Sequence, residues 1–170
     1  MLYLSLGSNI GNRLSHLQQA SIQLKQVVLS HRFQCSPVYE TPPWGNTEQQ
    51  PFFNMVVGGS TNLTPESILQ KVLAIEQTLG RFRTEKWAPR IIDIDVILID
   101  NQIIKSPHLQ VPHPLMHQRL FVLRPLADLA PDLVHPELGM SVLSLIDSCH
   151  QEPFTQVLSA KEFEMQTLLG

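Results

Sequence analysis

The stretch from Arg81 to Asp100 constrains the chain more than any other part of it. It reads Arg-Phe-Arg-Thr-Glu-Lys-Trp-Ala-Pro-Arg-Ile-Ile-Asp-Ile-Asp-Val-Ile-Leu-Ile-Asp. β-Branched residues dominate its second half, the composition of a strand, with Ile92, Ile94, Val96 and Leu98 alternating with Ile91, Asp93, Asp95, Ile97 and Ile99. Both faces of this strand are apolar except for two carboxylates. Residues two apart on a strand share a face, roughly 6.5–7 Å apart at Cα. Asp93 and Asp95 therefore point the same way into apolar surroundings, where two like charges repel and burial raises the cost.

Something cationic has to compensate. A short pair of carboxylates suits Mg²⁺, which takes its remaining ligands from water and phosphate. Two such ions about 3.5–4 Å apart clamp both sides of a phosphoryl transfer. Arg81, Arg83, Lys86 and Arg90 lie just upstream, and arginine forks bind phosphate oxygens bidentately. The combination points to a nucleoside triphosphate site. An isolated Asp-x-Asp is more often the polar patch of an ordinary strand, so the longer context decides.

That context runs Lys86-Trp87-Ala88-Pro89-Arg90-Ile91-Ile92-Asp93-Ile94-Asp95-Val96-Ile97. It resembles, at every position, the signature of the hydroxymethyl-dihydropterin pyrophosphokinase family of folate biosynthesis. A second resemblance lies in Val111-Pro112-His113-Pro114, followed by Arg119-Leu120-Phe121 and Pro125-Leu126. Gly7-Ser8-Asn9, Thr41-Pro42-Pro43 and Phe52-Phe53-Asn54, an aromatic-x-Asn, resemble further family segments.

The resemblance implies transfer of pyrophosphate from ATP to the hydroxymethyl group of a reduced pterin, with release of AMP. It implies two Mg²⁺ on Asp93 and Asp95, and Arg81, Arg83, Arg90 and Asp95 as the catalytic set. Glu76, Arg81, Arg83, Trp87, Arg90, Val96, His113 and Arg119 would bind ATP. Gly7, Thr41, Pro42, Trp44, Phe52, Asn54, Asp93 and Phe121 would form the pterin pocket, with Trp87 on a closing loop. The chain departs from many relatives at Leu115, His108 and Gln110, which stand where Arg, Arg and Thr occur.

Several of these residues also have plainer readings. Trp44 is either a stacking surface or a loop anchor. Asn54 is either an edge residue facing water or an amide matched to a donor–acceptor edge. Glu76 by itself is a solvated helix residue, His113 a surface histidine and Phe121 a core residue. Two enzyme-free or enzyme-distinct rivals stand beside the pyrophosphokinase: a metal-dependent nucleotidyl transferase or phosphohydrolase, and a non-catalytic ligand-binding module.

The rest of the chain sets the frame. Residues 2–6 read as a strand ending at Gly7, followed by a helix from about Arg13 to Val28 with Leu14, Leu17, Ser21, Leu24 and Val28 inward. Residues 31–40 and 52–60 read as strands. Thr64-Pro65-Glu66 opens a second helix, which Gly80 ends. Asp100-Asn101 predicts a hairpin returning Gln102–Lys105 beside the Asp-x-Asp strand. A helical stretch, proline breaks and a short helix near Ser141–Ser148 follow. The tail after Gln151 reads as a loose amphipathic helix packed on the body through Phe154, Val157, Leu158, Phe163 and Leu168.

The order strand, helix, strand, strand, helix, strand over residues 2–99 is that of an α+β, ferredoxin-like βαββαβ core. Burying every helical stripe requires helices on both faces of an antiparallel sheet, a three-layer αβα arrangement in a single domain over residues 1–170. The net charge of -3 argues against nucleic acid or an anionic membrane surface as partner. Two cysteines without metal spacing read as reduced thiols, and no run approaches the length of a membrane span. The expectation is a cytoplasmic monomer whose partners are ATP and a reduced pterin.

Overall fold

A computed structural model describes residues 1–29, 31–43, 49–81, 90–149 and 153–169. Strand β1 (Leu2–Ser8) is followed by helix α1 (Arg13–Val27), strands β2 (His31–Cys35), β3 (Val38–Thr41) and β4 (Phe52–Ser60), helix α2 (Pro65–Thr78) and strand β5 (Asp93–Ile99). The sheet runs β5-β1-β4-β3-β8, where β8 is Thr155–Leu158, with β2 also on β4, and every pairing is antiparallel. This is the ferredoxin-like order, with one added edge strand.

β1 shows how the sequence divides the two faces. Leu2, Leu4 and Leu6 enter a core shared with α1 and α2, while Tyr3 joins a second core on the opposite face, built with α3 (Leu120–Leu129) and α4 (Val142–Ser148). The three layers follow from this alternation. Ser5 and Gly7 continue the Tyr3 row with small residues, leaving room above the sheet.

Five expectations change in detail. The strand expected over 31–40 is two strands, because Pro37 has no N–H to donate. Ser36 bridges the break: its N–H donates to the Val56 carbonyl at 2.9 Å, and its hydroxyl accepts from the Val56 N–H at 2.9 Å. β1 runs through Gly7 to Ser8, because Gly7 and Ser8 still pair with Asn54 and Phe53.

The alternation along β5 holds only to Val96. Leu4 pairs with Val96 and Tyr3 with Leu98, so Ile97 is an extra residue opposite that step. Ile97 and Leu98 both join the α3–α4 core, and Ile99 returns to the α1–α2 core. Beyond β5, β6 (Ile104–Lys105) pairs with β7 (Gln110–Val111) in a separate two-stranded sheet, not with β5. The return after Asp100 belongs to a wider excursion that brings residues 107–110 to the site.

The tail is a helix packed on the body only in its second half, and a strand before it. β8 (Thr155–Leu158) pairs with β3 and covers the sheet edge, and α5 (Ala160–Leu169) buries Phe163 in the α1–α2 core. Among the described residues no helix is long and apolar enough to cross a membrane.

Candidate active site

The cavity lies over the end of the sheet where β1, β4 and β5 meet, with a volume of about 680 Å³. Its floor carries Ser5 and Gly7 of β1, Asn54 of β4, and Asp93 and Asp95 of β5. α2 contributes Leu69, Val72, Leu73 and Glu76 to one wall. His113, Arg119 and Phe121 line it where the chain enters α3.

The end of α2 builds the first charge network. Gly80, at φ +90°, stops the helix in a left-handed turn. Its N–H reaches the Gln77 carbonyl at 3.1 Å, and the Arg81 N–H reaches the Glu76 carbonyl at 2.9 Å, a Schellman closure. The same closure folds the Arg81 guanidinium back onto the Glu76 carboxylate. That carboxylate, 3% exposed, also accepts from the Ile94 N–H at 2.7 Å. Arg81 then reaches Asp93 at 2.6 Å, and Arg90 pairs with the other Asp93 oxygen.

Asp95 faces a second set of partners. Arg119 approaches it at 3.6 Å and His113 Nε2 at 3.9 Å. Desolvation and the neighbouring Asp93 charge push the Asp95 carboxyl up, against the pull of Arg119, Arg90 and Arg81. Burial pushes Glu76 up to about 7, with Arg81 and the Ile94 N–H opposing it. Burial and the Arg119 charge bring His113 down to about 4. Its Nδ1 accepts from the Leu115 N–H at 3.2 Å, so the neutral ring carries its proton on Nε2 and offers a donor on the Asp95 side.

The apolar end of the cavity is shaped around Asn54. Its amide is 4% exposed and donates to Thr41 Oγ1 at 2.7 Å. A Cβ at Gly7 would stand 2.8 Å from Asn54 Oδ1, so only glycine lets the amide lie there undisturbed. β4 is flanked on both sides, which rules out the water-facing edge reading of Asn54. Pro42, Phe52 and Phe121 complete this end.

Gly7, Thr41, Pro42, Phe52, Asn54, Glu76, Arg81, Arg90, Asp93, Asp95, Val96, His113, Arg119 and Phe121 thus line one cavity. Trp44, Arg83 and Trp87 lie outside the described residues. His108, Gln110 and Leu115 also line it.

Asn9 belongs to the Gly7-Ser8-Asn9 motif, but the motif alone gave its side chain no role. Its side-chain oxygen accepts from the Arg90 N–H at 2.7 Å, and its own N–H donates to the Arg90 carbonyl at 3.1 Å. Its amide nitrogen reaches Gln49 Oε1 at 2.9 Å and the Gln50 carbonyl at 3.4 Å. The turn holds two asparagines but needs one helix cap, and Asn12 supplies that by accepting from the Ser15 N–H. The second asparagine was the available signal.

Fold and site together define a ferredoxin-like α+β protein with paired carboxylates set under arginines beside an amide-floored apolar pocket. Residues 3–131 match the model of the 7,8-dihydro-6-hydroxymethylpterin-pyrophosphokinase family, and the chain belongs to that family. A 2-amino-4-hydroxy-6-hydroxymethyldihydropteridine pyrophosphokinase of Methylorubrum extorquens is 44% identical over 132 residues, covering 78% of this chain and 84% of the relative. One from Pseudomonas aeruginosa is 38% identical over 148 residues, covering 87% and 91%. A crystal structure of Plasmodium falciparum HPPK-DHPS, wild type, with pterin and p-hydroxybenzoate, superposes with a TM-score of 0.66 at 17% identity. It covers 86% of this chain but only 42% of that one, and its likeness concerns the fold.

Proposed function

We propose that this chain transfers the pyrophosphoryl group of ATP to the hydroxymethyl oxygen of 6-hydroxymethyl-7,8-dihydropterin in folate biosynthesis, giving AMP and the pterin diphosphate. One observation carries the reading beyond family membership. The Asp93–Asp95 pair, with Arg81, Arg90, Arg119 and His113 around it, opens into the same cavity as the Thr41–Asn54 amide pocket. A donor of phosphates and a flat heterocycle with a hydrogen-bonding edge can occupy the two ends together.

The residues fit Mg²⁺. Asp93 and Asp95 present oxygen donors on one strand face, and among the described residues no cluster of three His, Cys, Asp or Glu forms a closed metal cage. Two ions held there would share their other positions with water and phosphate, and would supply Lewis-acid neutralisation of the phosphate oxygens. Arg81 and Arg90, drawn together by Asp93, would turn their forks to the phosphates. Arg119 and the His113 Nε2–H would stabilise charge that develops on the transferred group. Glu76 would act by aiming Arg81. Val96 would pack against the nucleotide, while Asn54, Phe52 and Phe121 orient the pterin, and positioning and charge do most of the work. Arg83 and Trp87 belong to this reading as a phosphate ligand and a closing cover, and Trp44 as a pterin contact. A monomer in the cytoplasm completes it.

The test is chromatography of a reaction holding ATP, Mg²⁺ and hydroxymethyl-dihydropterin. AMP and pterin diphosphate in equal amounts are expected, and chelation of Mg²⁺ should stop their formation. ADP would instead mean γ-phosphoryl transfer, and free pyrophosphate a hydrolase or nucleotidyl transferase.

A further inference from the structure

Arg13 is the first residue of α1, where a cation works against the helix dipole and where no acidic residue accompanies it. Its placement is explained by contacts beyond the helix. Its guanidinium donates to the Pro51 carbonyl at 2.6 Å, pairs with Glu40 at 3.0 Å, and lies 3.7 Å above the centre of the Phe53 ring. Glu40 and Phe53 are cross-strand partners near the end of β3 and β4 that residues 42–51 connect. The next pair outward is Thr41 and Phe52, both on the cavity wall.

One side chain therefore grips both strands at the last rung before the pocket. We propose that Arg13 is a positioning residue for the pterin, touching no substrate itself. It fixes the separation and register of Thr41 and Phe52, and through Thr41 the Asn54 amide that the hydroxyl accepts from. Three different contacts with one planar fork are what lysine cannot reproduce. The inference rests on the proposed pyrophosphokinase function.

Arg13→Ala and Arg13→Lys, compared with the wild type, test it through steady-state kinetics and direct pterin binding with an ATP analogue and Mg²⁺ present. Loosening a pocket without removing a contact to substrate should raise the pterin KM about tenfold in Arg13→Ala and about threefold in Arg13→Lys, leaving the ATP KM within about twofold. Pterin Kd should rise in the same order. A fall in melting temperature with both KM values unchanged would assign Arg13 to stability alone and overturn the proposal. Should Arg13→Ala fail to fold, Arg13→Lys carries the same two outcomes. Wild-type protein that neither binds pterin nor forms AMP would instead bring down the functional reading, and this inference with it.

Discussion

Glu76 is a carboxylate 3% exposed, and its position in the folded chain is costly. Its pKa stands at about 7 when folded, against 4.5 as a free side chain, with burial as the leading cause. Between these values the folded protein holds a proton that the unfolded chain has released. The Glu76 contribution to stability is therefore complete below about pH 4.5 and is lost as pH rises through about 7, amounting to about 3 kcal/mol across the window. His113 runs the other way: its lowered pKa removes stability as pH falls from about 6.5 toward 4. The two slopes oppose each other, with Asp95 adding to the Glu76 side. Glu76→Gln keeps an acceptor for the Ile94 N–H but cannot titrate. Its stability relative to wild type, from denaturant melts between pH 4.5 and 7, should improve steadily with pH. A constant difference across that range would contradict the burial argument.

At the scale of elements, α2 has two ends with different duties. Thr64, which does not line the cavity, caps the start by accepting from the Ser67 N–H at 3.3 Å. Gly80 closes the end and sets Arg81 against Glu76 and Asp93. A substitution at either end should cost about 1–2 kcal/mol, through a lost cap at one and a strained left-handed residue at the other. Their effects on catalysis should differ. Thr64→Ala should leave turnover within about twofold, while Gly80→Ala should lower it at least about tenfold by turning the Arg81 fork away from Asp93 and the cavity. Equal activity in two variants of matched stability would show that the helix end does not aim Arg81.

At the scale of the molecule, the sheet separates two cores, and the tail closes one of them. Phe163 is 1% exposed among α1–α2 residues although it arrives from the last helix. Truncating a buried aromatic costs about 3–5 kcal/mol. Phe163→Ala should lose an amount of that order in denaturant unfolding while forming AMP normally at temperatures where it stays folded. A loss below about 1 kcal/mol would return the tail to the loosely packed helix that its sparse apolar pattern predicted.

Local chemistry was enough for much of this architecture. The run of β-branched residues, the Thr64-Pro65 start and the Gly80 stop act within a few residues of themselves, so strands and helices were legible along the chain. Two carboxylates spaced for one face were legible for the same reason, since strand periodicity alone aligns Asp93 with Asp95. What the chain order could not contain is which distant group answers each charge. Asn9 holds Arg90, Arg13 bridges β3 to β4, and Glu76 is buried because β5 passes beside α2. The extra residue at Ile97, the β6–β7 sheet and the added strand β8 are likewise decisions of pairing. Each depends on backbone hydrogen bonds between segments far apart in sequence, whose partners become defined only when the two cores are packed against the sheet.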